Sequence, residues 1–124
     1  MQAWVIESLL QGAYLREYHL WEKDCKAYFA GMAERNGRSL ALKPKGSQSF
    51  TDVARDTLLA FEVTLPHETL SAIERMRARV NVMKHDVGLE LDHLISEGDY
   101  VEAATALENF WDSLAHGEHV AYGR

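Results

Sequence analysis

From residue 3 to residue 34, bulky apolar side chains recur at mostly three- and four-residue spacing: Trp4, Val5, Leu9, Tyr14, Tyr18, Trp21, Cys25, Tyr28, Phe29 and Met32. No proline interrupts them. At about 100° per residue this spacing gathers the side chains on one face, so the stretch predicts a single long amphipathic helix. Gly12 weakens it locally, by about 1 kcal/mol relative to alanine. Asn36-Gly37 supplies the left-handed backbone that a helix end needs. So many aromatic rings could line a stacking surface or a cofactor box, but the ordinary use of such a stripe is core.

The rest of the chain follows the same period. Residues 35–50 form the one long connection. Arg35, Arg38, Lys43 and Lys45 lie there, no acidic residue follows until Asp52, and Lys43-Pro44-Lys45-Gly46 has turn chemistry. Ser49-Phe50-Thr51-Asp52 reads as a capping box opening a second helix to about Val63, burying Phe50, Val53, Leu58, Leu59 and Phe61. Thr64-Leu65-Pro66 ends that helix and starts a third, with Pro66 suited to its first position. The third helix runs to about Asp86, where Gly88 permits a stop. Residues 89–95 fit a short helix or an extended segment equally well. Ser96-Glu97-Gly98 reads as a turn, and Asp99-Tyr100-Val101-Glu102 as an acidic capping box. The last helix then extends to about His116 with Val101, Ala104, Leu107, Phe110, Trp111 and Leu114 inward, followed by a frayed tail. The expected fold is all-α: an antiparallel up-and-down bundle of four main helices plus a short extra helix if 89–95 is helical.

Size and charge bound what such a bundle does. At 124 residues the chain is long enough for one domain with its own core, spanning 1–124. The lone Cys25 excludes an internal disulfide framework and fits a reducing compartment. No signal peptide or membrane-length apolar run is evident, so the expectation is a soluble, cytoplasmic protein without a membrane partner. The net charge of −6 is unevenly spread: residues 1–84 hold twelve Lys/Arg and ten Asp/Glu, whereas residues 85–124 hold Arg124 against nine acids. That balance argues against broad nucleic-acid coating and leaves room for a local basic patch in the first two-thirds.

Metal and thiol chemistry find little support. A di-iron bundle needs two Glu-x-x-His pairs, and Glu90-x-x-His93 is the only one here. His116 and His119 stand in the tail. No native metal and no cofactor are expected. Cys25 lies mid-stripe, where an inert thiol is expected, and glycine-rich phosphate loops are absent.

That leaves residues 75–86. Four basic side chains (Arg75, Arg77, Arg79 and Lys84), Asn81 and His85 fall within about three helical turns, while Leu70, Ile73, Met76, Val80, Met83 and Val87 form the apolar back. Arg77, Asn81 and His85 recur at four-residue spacing along one flank. A histidine transfers protons near neutral pH, a neighbouring arginine stabilises a pentacovalent phosphate, and Asn81 can orient the ring or a ribose hydroxyl. His85 deprotonating a 2′-hydroxyl would cleave RNA without metal. The commoner use of such residues is a solvated cationic flank on a surface helix.

Asn81-Val82-Met83-Lys84-His85-Asp86, late in the third helix and ahead of a short linker and a capped final helix, resembles the HEPN domain family. In size and helical order the resemblance covers the chain; its specific part covers about 75–88. It implies a helical bundle, usually dimeric, with an Arg-x4-6-His signature. Active members are metal-independent RNases with a composite site across the dimer. They recur as toxins beside nucleotidyltransferase antitoxins and in phage defence, while other members are non-catalytic binding modules. Carried onto this chain, His85 is the acid/base, Arg79 (or Arg77) the phosphate-stabilising group and Asn81 the positioning residue. Lys84, Arg75, Arg38, Lys43 and Lys45 are the candidate RNA contacts. Partners implied are a second copy, RNA, and a protein antitoxin or nucleotidyltransferase. Val80 stands where the common form of the motif has arginine. In a continuous helix Arg79 points about 120° away from His85, so either a distortion near His85 or the use of Arg77 is needed to complete the site.

Overall fold

The computed structural model describes residues 3–37, 46, 48–85 and 95–122, with helical side chains described over 9–35, 50–60, 67–83 and 97–116. Four helices form, α1 (Ala3–Arg35), α2 (Phe50–Ala60), α3 (His67–His85) and α4 (Glu97–Tyr122), and the described residues contain no strand. The fold is the all-α bundle that the periodicity predicts. None of its helices is long and apolar enough to cross a membrane among the described residues.

α1 runs unbroken through Gly12 and closes where expected. The Asn36 backbone N–H and side-chain amide both donate to the Met32 carbonyl, at 3.1 and 2.8 Å, and Gly37 takes φ +65°. Its inward stripe is Tyr14, Tyr18, Trp21, Cys25, Phe29 and Met32. Leu9, expected on that stripe, is 61% exposed. It stands five residues before Tyr14, about 140° around the helix from it, whereas Leu10, one turn before Tyr14, packs against the core.

α2 opens with the expected capping box. The Ser49 hydroxyl accepts from the Asp52 N–H and the Asp52 carboxylate accepts from the Ser49 N–H. It ends three residues earlier than the expected Val63. Glu62 takes φ 65°, its N–H donates to the Leu59 carbonyl and the Val63 N–H to the Leu58 carbonyl at 2.8 Å. This is a Schellman closure with glutamate where glycine is usual, so the sequence carried no stop signal there. Leu59, expected in the core, is 50% exposed, because the inward positions are taken by Val53, Ala54 and Leu58.

α3 begins directly after Pro66, whose carbonyl accepts the Leu70 N–H. Ile73, Met76 and Val80 are buried, with Leu70 and Met83 packed beside them; Val87 lies outside the described residues. α4 starts earlier than expected. Ser96 is its N-cap, with the Asp99 N–H donating to the Ser96 hydroxyl and the Ser96 N–H to the Asp99 carboxylate, both at 3.0 Å. Glu97-Gly98, expected in a turn, is therefore the first turn of the helix. Val101, about 180° around the helix from Phe110, faces outward and is 62% exposed, while Ala103, Ala106, Leu107, Phe110 and Leu114 face inward. The helix also continues past His116 to Tyr122 rather than fraying there. Residues 86–94, which hold most of the ambiguous 89–95 segment, lie outside the described residues, and Ile95 is buried.

The pairing ladder sets the helix directions. Arg79 meets Asp99, and Arg75 meets Glu102, so α3 and α4 are antiparallel. Ser49 meets Glu74, and the groove beyond brings Arg55 beside His67, so α2 and α3 are antiparallel too. Alternation thus holds from α2 to α4. α1 runs with α4: Tyr14 lies by Asp99 and Glu102, while Trp21 meets Phe110 and Tyr28 meets Trp111. At the centre, Trp21 packs edge-on against Phe50 at 5.6 Å and Phe110 at 5.3 Å, joining α1, α2 and α4. Its indole N–H is buried without a hydrogen-bond partner.

Candidate functional site

The basic stretch lies in the second half of α3, which stays helical to His85. Helical spacing therefore decides where each residue stands. Arg75 and Arg79, four apart, share the flank facing α4. Arg77 takes the other flank, towards the start of α2. Positions 77 and 85 are about 80° apart around the axis, and positions 79 and 85 about 120°. The helix does not distort before His85 to bring Arg79 round. The side chains of Lys84 and His85 lie outside the described residues, as do Arg38, Lys43 and Lys45.

Each arginine of the stretch is met by a carboxylate. Arg75 Nε lies 3.1 Å from Glu102 Oε1. Arg77 Nε donates to Glu74 Oε1 at 2.6 Å, and the other oxygen of Glu74 accepts from the Ser49 hydroxyl at 3.2 Å. Arg79 is the most enclosed, its side chain 26% exposed. Its Nη2 lies 3.3 Å from Asp99 Oδ1, its Nη1 4.0 Å from Glu102 Oε1, and Nη1 also donates to the Tyr14 hydroxyl at 3.4 Å. Three arginines thus face three carboxylates, Glu74, Asp99 and Glu102. Each of these three arginines is therefore matched by a carboxylate, on both flanks of the helix.

Burial and these partners shift the groups in opposite directions. Burial pushes the Tyr14 phenol above its ordinary value, outweighing the opposing pull of Arg79. The hydrogen bond to Tyr14, with Asp99 and Glu102 nearby, raises Arg79 further and keeps it charged. The Asp99 carboxyl is held below the usual range, first by the Ser96 backbone N–H, then by the Ser96 hydroxyl and Arg79. Arg79 is therefore a strut between α1, α3 and α4, held by Tyr14, Asp99 and Glu102.

The remaining candidates divide plainly. Asn81 is exposed on the flank of Arg77, and Val82 beside it is 37% exposed. Cys25 is fully buried, and burial pushes its thiol well above the ordinary range, which makes it inert. Among the described residues no group of three His, Cys, Asp or Glu side chains could hold a metal ion. Glu90, His93 and His119 lie outside the described side chains; His116 is exposed. A cleft of about 500 Å³ between α3 and α4 is lined by Glu68, Glu102 and Asp112 with no basic residue among its lining, which repels a phosphate.

The residues that set the state of the stretch, Tyr14, Glu74, Asp99 and Glu102, were not singled out from sequence as site residues. One signal was available. Ser96-x-x-Asp99 repeats the Ser49-x-x-Asp52 spacing, and reading it as the cap would have aimed Asp99 at the end of α3. Tyr14 and Glu102 carried no such mark, since their roles depend on how the helices align. No family model, curated protein or solved structure matches the chain.

Proposed function

We propose that the chain is a HEPN-like helical module that acts by binding, as a homodimer, to a protein partner such as a nucleotidyltransferase antitoxin or to a nucleotide, without cleaving RNA. The observation that carries this reading is the pairing of Arg75, Arg77 and Arg79 with Glu74, Asp99 and Glu102. An arginine that stabilises a phosphorane must put its donors where negative charge develops. Arg79 instead sits between helices, paired with Asp99 and hydrogen-bonded to Tyr14. The reading predicts a stable dimer by light scattering. It also predicts no cleavage of single-stranded or structured RNA between pH 6 and 8, with or without divalent metal, and growth effects on expression unchanged by His85→Ala.

A second reading, a metal-independent RNase with His85 as acid/base, is favoured by one feature. Arg77, less enclosed than Arg79 with a side chain 33% exposed, shares a flank with exposed Asn81 and with position 85. In that case Arg77, released from Glu74, is the phosphate contact and Arg79 a positioning residue. RNA cleavage that persists in EDTA and disappears in both His85→Ala and Arg77→Ala would replace the first reading with this one.

A further inference from the structure

α1 carries a second apolar stripe, on the side away from the one it buries. Measured around the helix from Leu20, at about 100° per residue, Leu9, Ala13, Ala27 and Gly31 all fall within about 20°. The buried Tyr14, Trp21, Cys25, Phe29 and Met32 lie about 100° to about 180° away. Leu20 is 41% exposed, and Leu9 and Ala27 are exposed as well. We propose that this face is a self-association surface, through which two copies of the chain pack their α1 helices side by side, parallel and in register, about a two-fold axis running along them.

Three observations point to a second copy in that orientation. First, the stripe alternates exposed leucine with small residues, which lets two helix backbones approach closely. Gly31 belongs to it. A Cβ added there meets nothing within 4 Å, so packing within one chain gives no reason for a residue that weakens a helix, whereas the close approach of another helix does. Second, four charges border the stripe without partners. Arg16 and Lys23 stand about 40° to about 60° from Leu20 on one side, and Glu17 and Asp24 the same on the other. None has an opposite charge three or four residues away, and none forms an ion pair among the described residues. Glu22 and Lys26 on the same helix do pair, at 3.0 Å. Third, these borders complement each other in one direction only. A two-fold axis along the helices sets the Arg16–Lys23 border of one copy beside the Glu17–Asp24 border of the other, level by level. An antiparallel pair sets like charges against like. The inference rests on the homodimer of the functional reading, to which it adds the face and the direction, and does not use the HEPN resemblance.

Sedimentation velocity of the full chain and its variants tests it. Leu20→Glu, which brings two carboxylates together at the axis, should weaken the dimer at least about tenfold and leave the melting curve of the dissociated chain unchanged. Arg16→Glu with Lys23→Glu should also weaken it, and adding Glu17→Lys and Asp24→Lys should restore it, because the borders are then complementary again. Ala27→Cys should give a disulfide-linked dimer on mild oxidation, since parallel register sets position 27 against itself and the buried Cys25 does not compete. A dimer that Leu20→Glu leaves intact would overturn this inference while leaving the functional reading its dimer, held by another face. A dimer in which Ala27→Cys does not cross-link would overturn the parallel register. A natural chain that stays monomeric would overturn both readings.

Discussion

α2 and α4 open with the same device, Ser49–Asp52 in one and Ser96–Asp99 in the other, and the two are used differently. Each aspartate accepts the N-cap backbone N–H with one oxygen, at 3.0 Å in both helices. The other oxygen of Asp52 turns to Arg55, one turn along its own helix, with both side chains more than a third exposed. The other oxygen of Asp99 turns to Arg79 on α3, where both side chains are less than a third exposed and Tyr14 of α1 completes the group. Identical local chemistry therefore closes one helix end and, in the other, ties three helices together. Whether a cap is local or tertiary depends on what stands beside its free oxygen.

The contrast can be broken in measurable steps. Asp99→Ala should lose its capping bond and leave the part-buried Arg79 without its nearest carboxylate, a destabilisation of about 2–3 kcal/mol by urea denaturation; Asp52→Ala should lose about 1 kcal/mol. Equal losses would mean that Arg79 contributes nothing to holding α4. Tyr14→Phe, which removes only the hydroxyl that Arg79 donates to, should cost about 1 kcal/mol and leave helix content unchanged. A double-mutant cycle should give Arg79–Asp99 a coupling of roughly 1 kcal/mol, against about 0.3–0.5 for Arg55–Asp52.

The pH dependence follows from the direction of the Asp99 shift. Its carboxyl is held low in the folded state, so its stabilising contribution is present above the unfolded value of about 3.9 and is lost as the pH falls through the lower folded value. The stability difference between the natural protein and Asp99→Asn should stay level from neutral pH to about 4 and shrink only below that. The smallest effect lies at the other end of α2. Glu62→Gly relieves a left-handed backbone that disfavours side chains and should raise stability by up to about 1 kcal/mol.

Much of the fold was legible because helices obey short-range rules. The stripe from Tyr14 to Met32, the Ser49 cap, the Asn36-Gly37 stop and the start of α3 after Pro66 all follow from residues within about four positions of one another. Where the rules misled, a competing local signal or a distant partner explains it. The end of α2 was misplaced because Glu62 takes a conformation that its residue type does not announce. The start of α4 falls one turn before the expected one because Ser96-x-x-Asp99 and Asp99-x-x-Glu102 are overlapping cap patterns, and the first of them forms the cap. Leu9 and Val101 are expected in the core on their apolar character, but they stand about 140° from Tyr14 and about 180° from Phe110 around their helices, off the buried face.

The site was less legible, and for a different reason. By itself the sequence determined that 75–85 is a helix with an apolar back, and that Arg77, Asn81 and position 85 share a flank while Arg79 does not. Only the tertiary structure decided that each of its three arginines has a carboxylate beside it. Glu74 lies within the stretch's own helix, but Asp99 and Glu102 sit twenty and twenty-three residues beyond Arg79 in the chain. Coulomb attraction depends on distance in space, and only the alignment of α3 against α4 and α1 brings those carboxylates within 4 Å of Arg79.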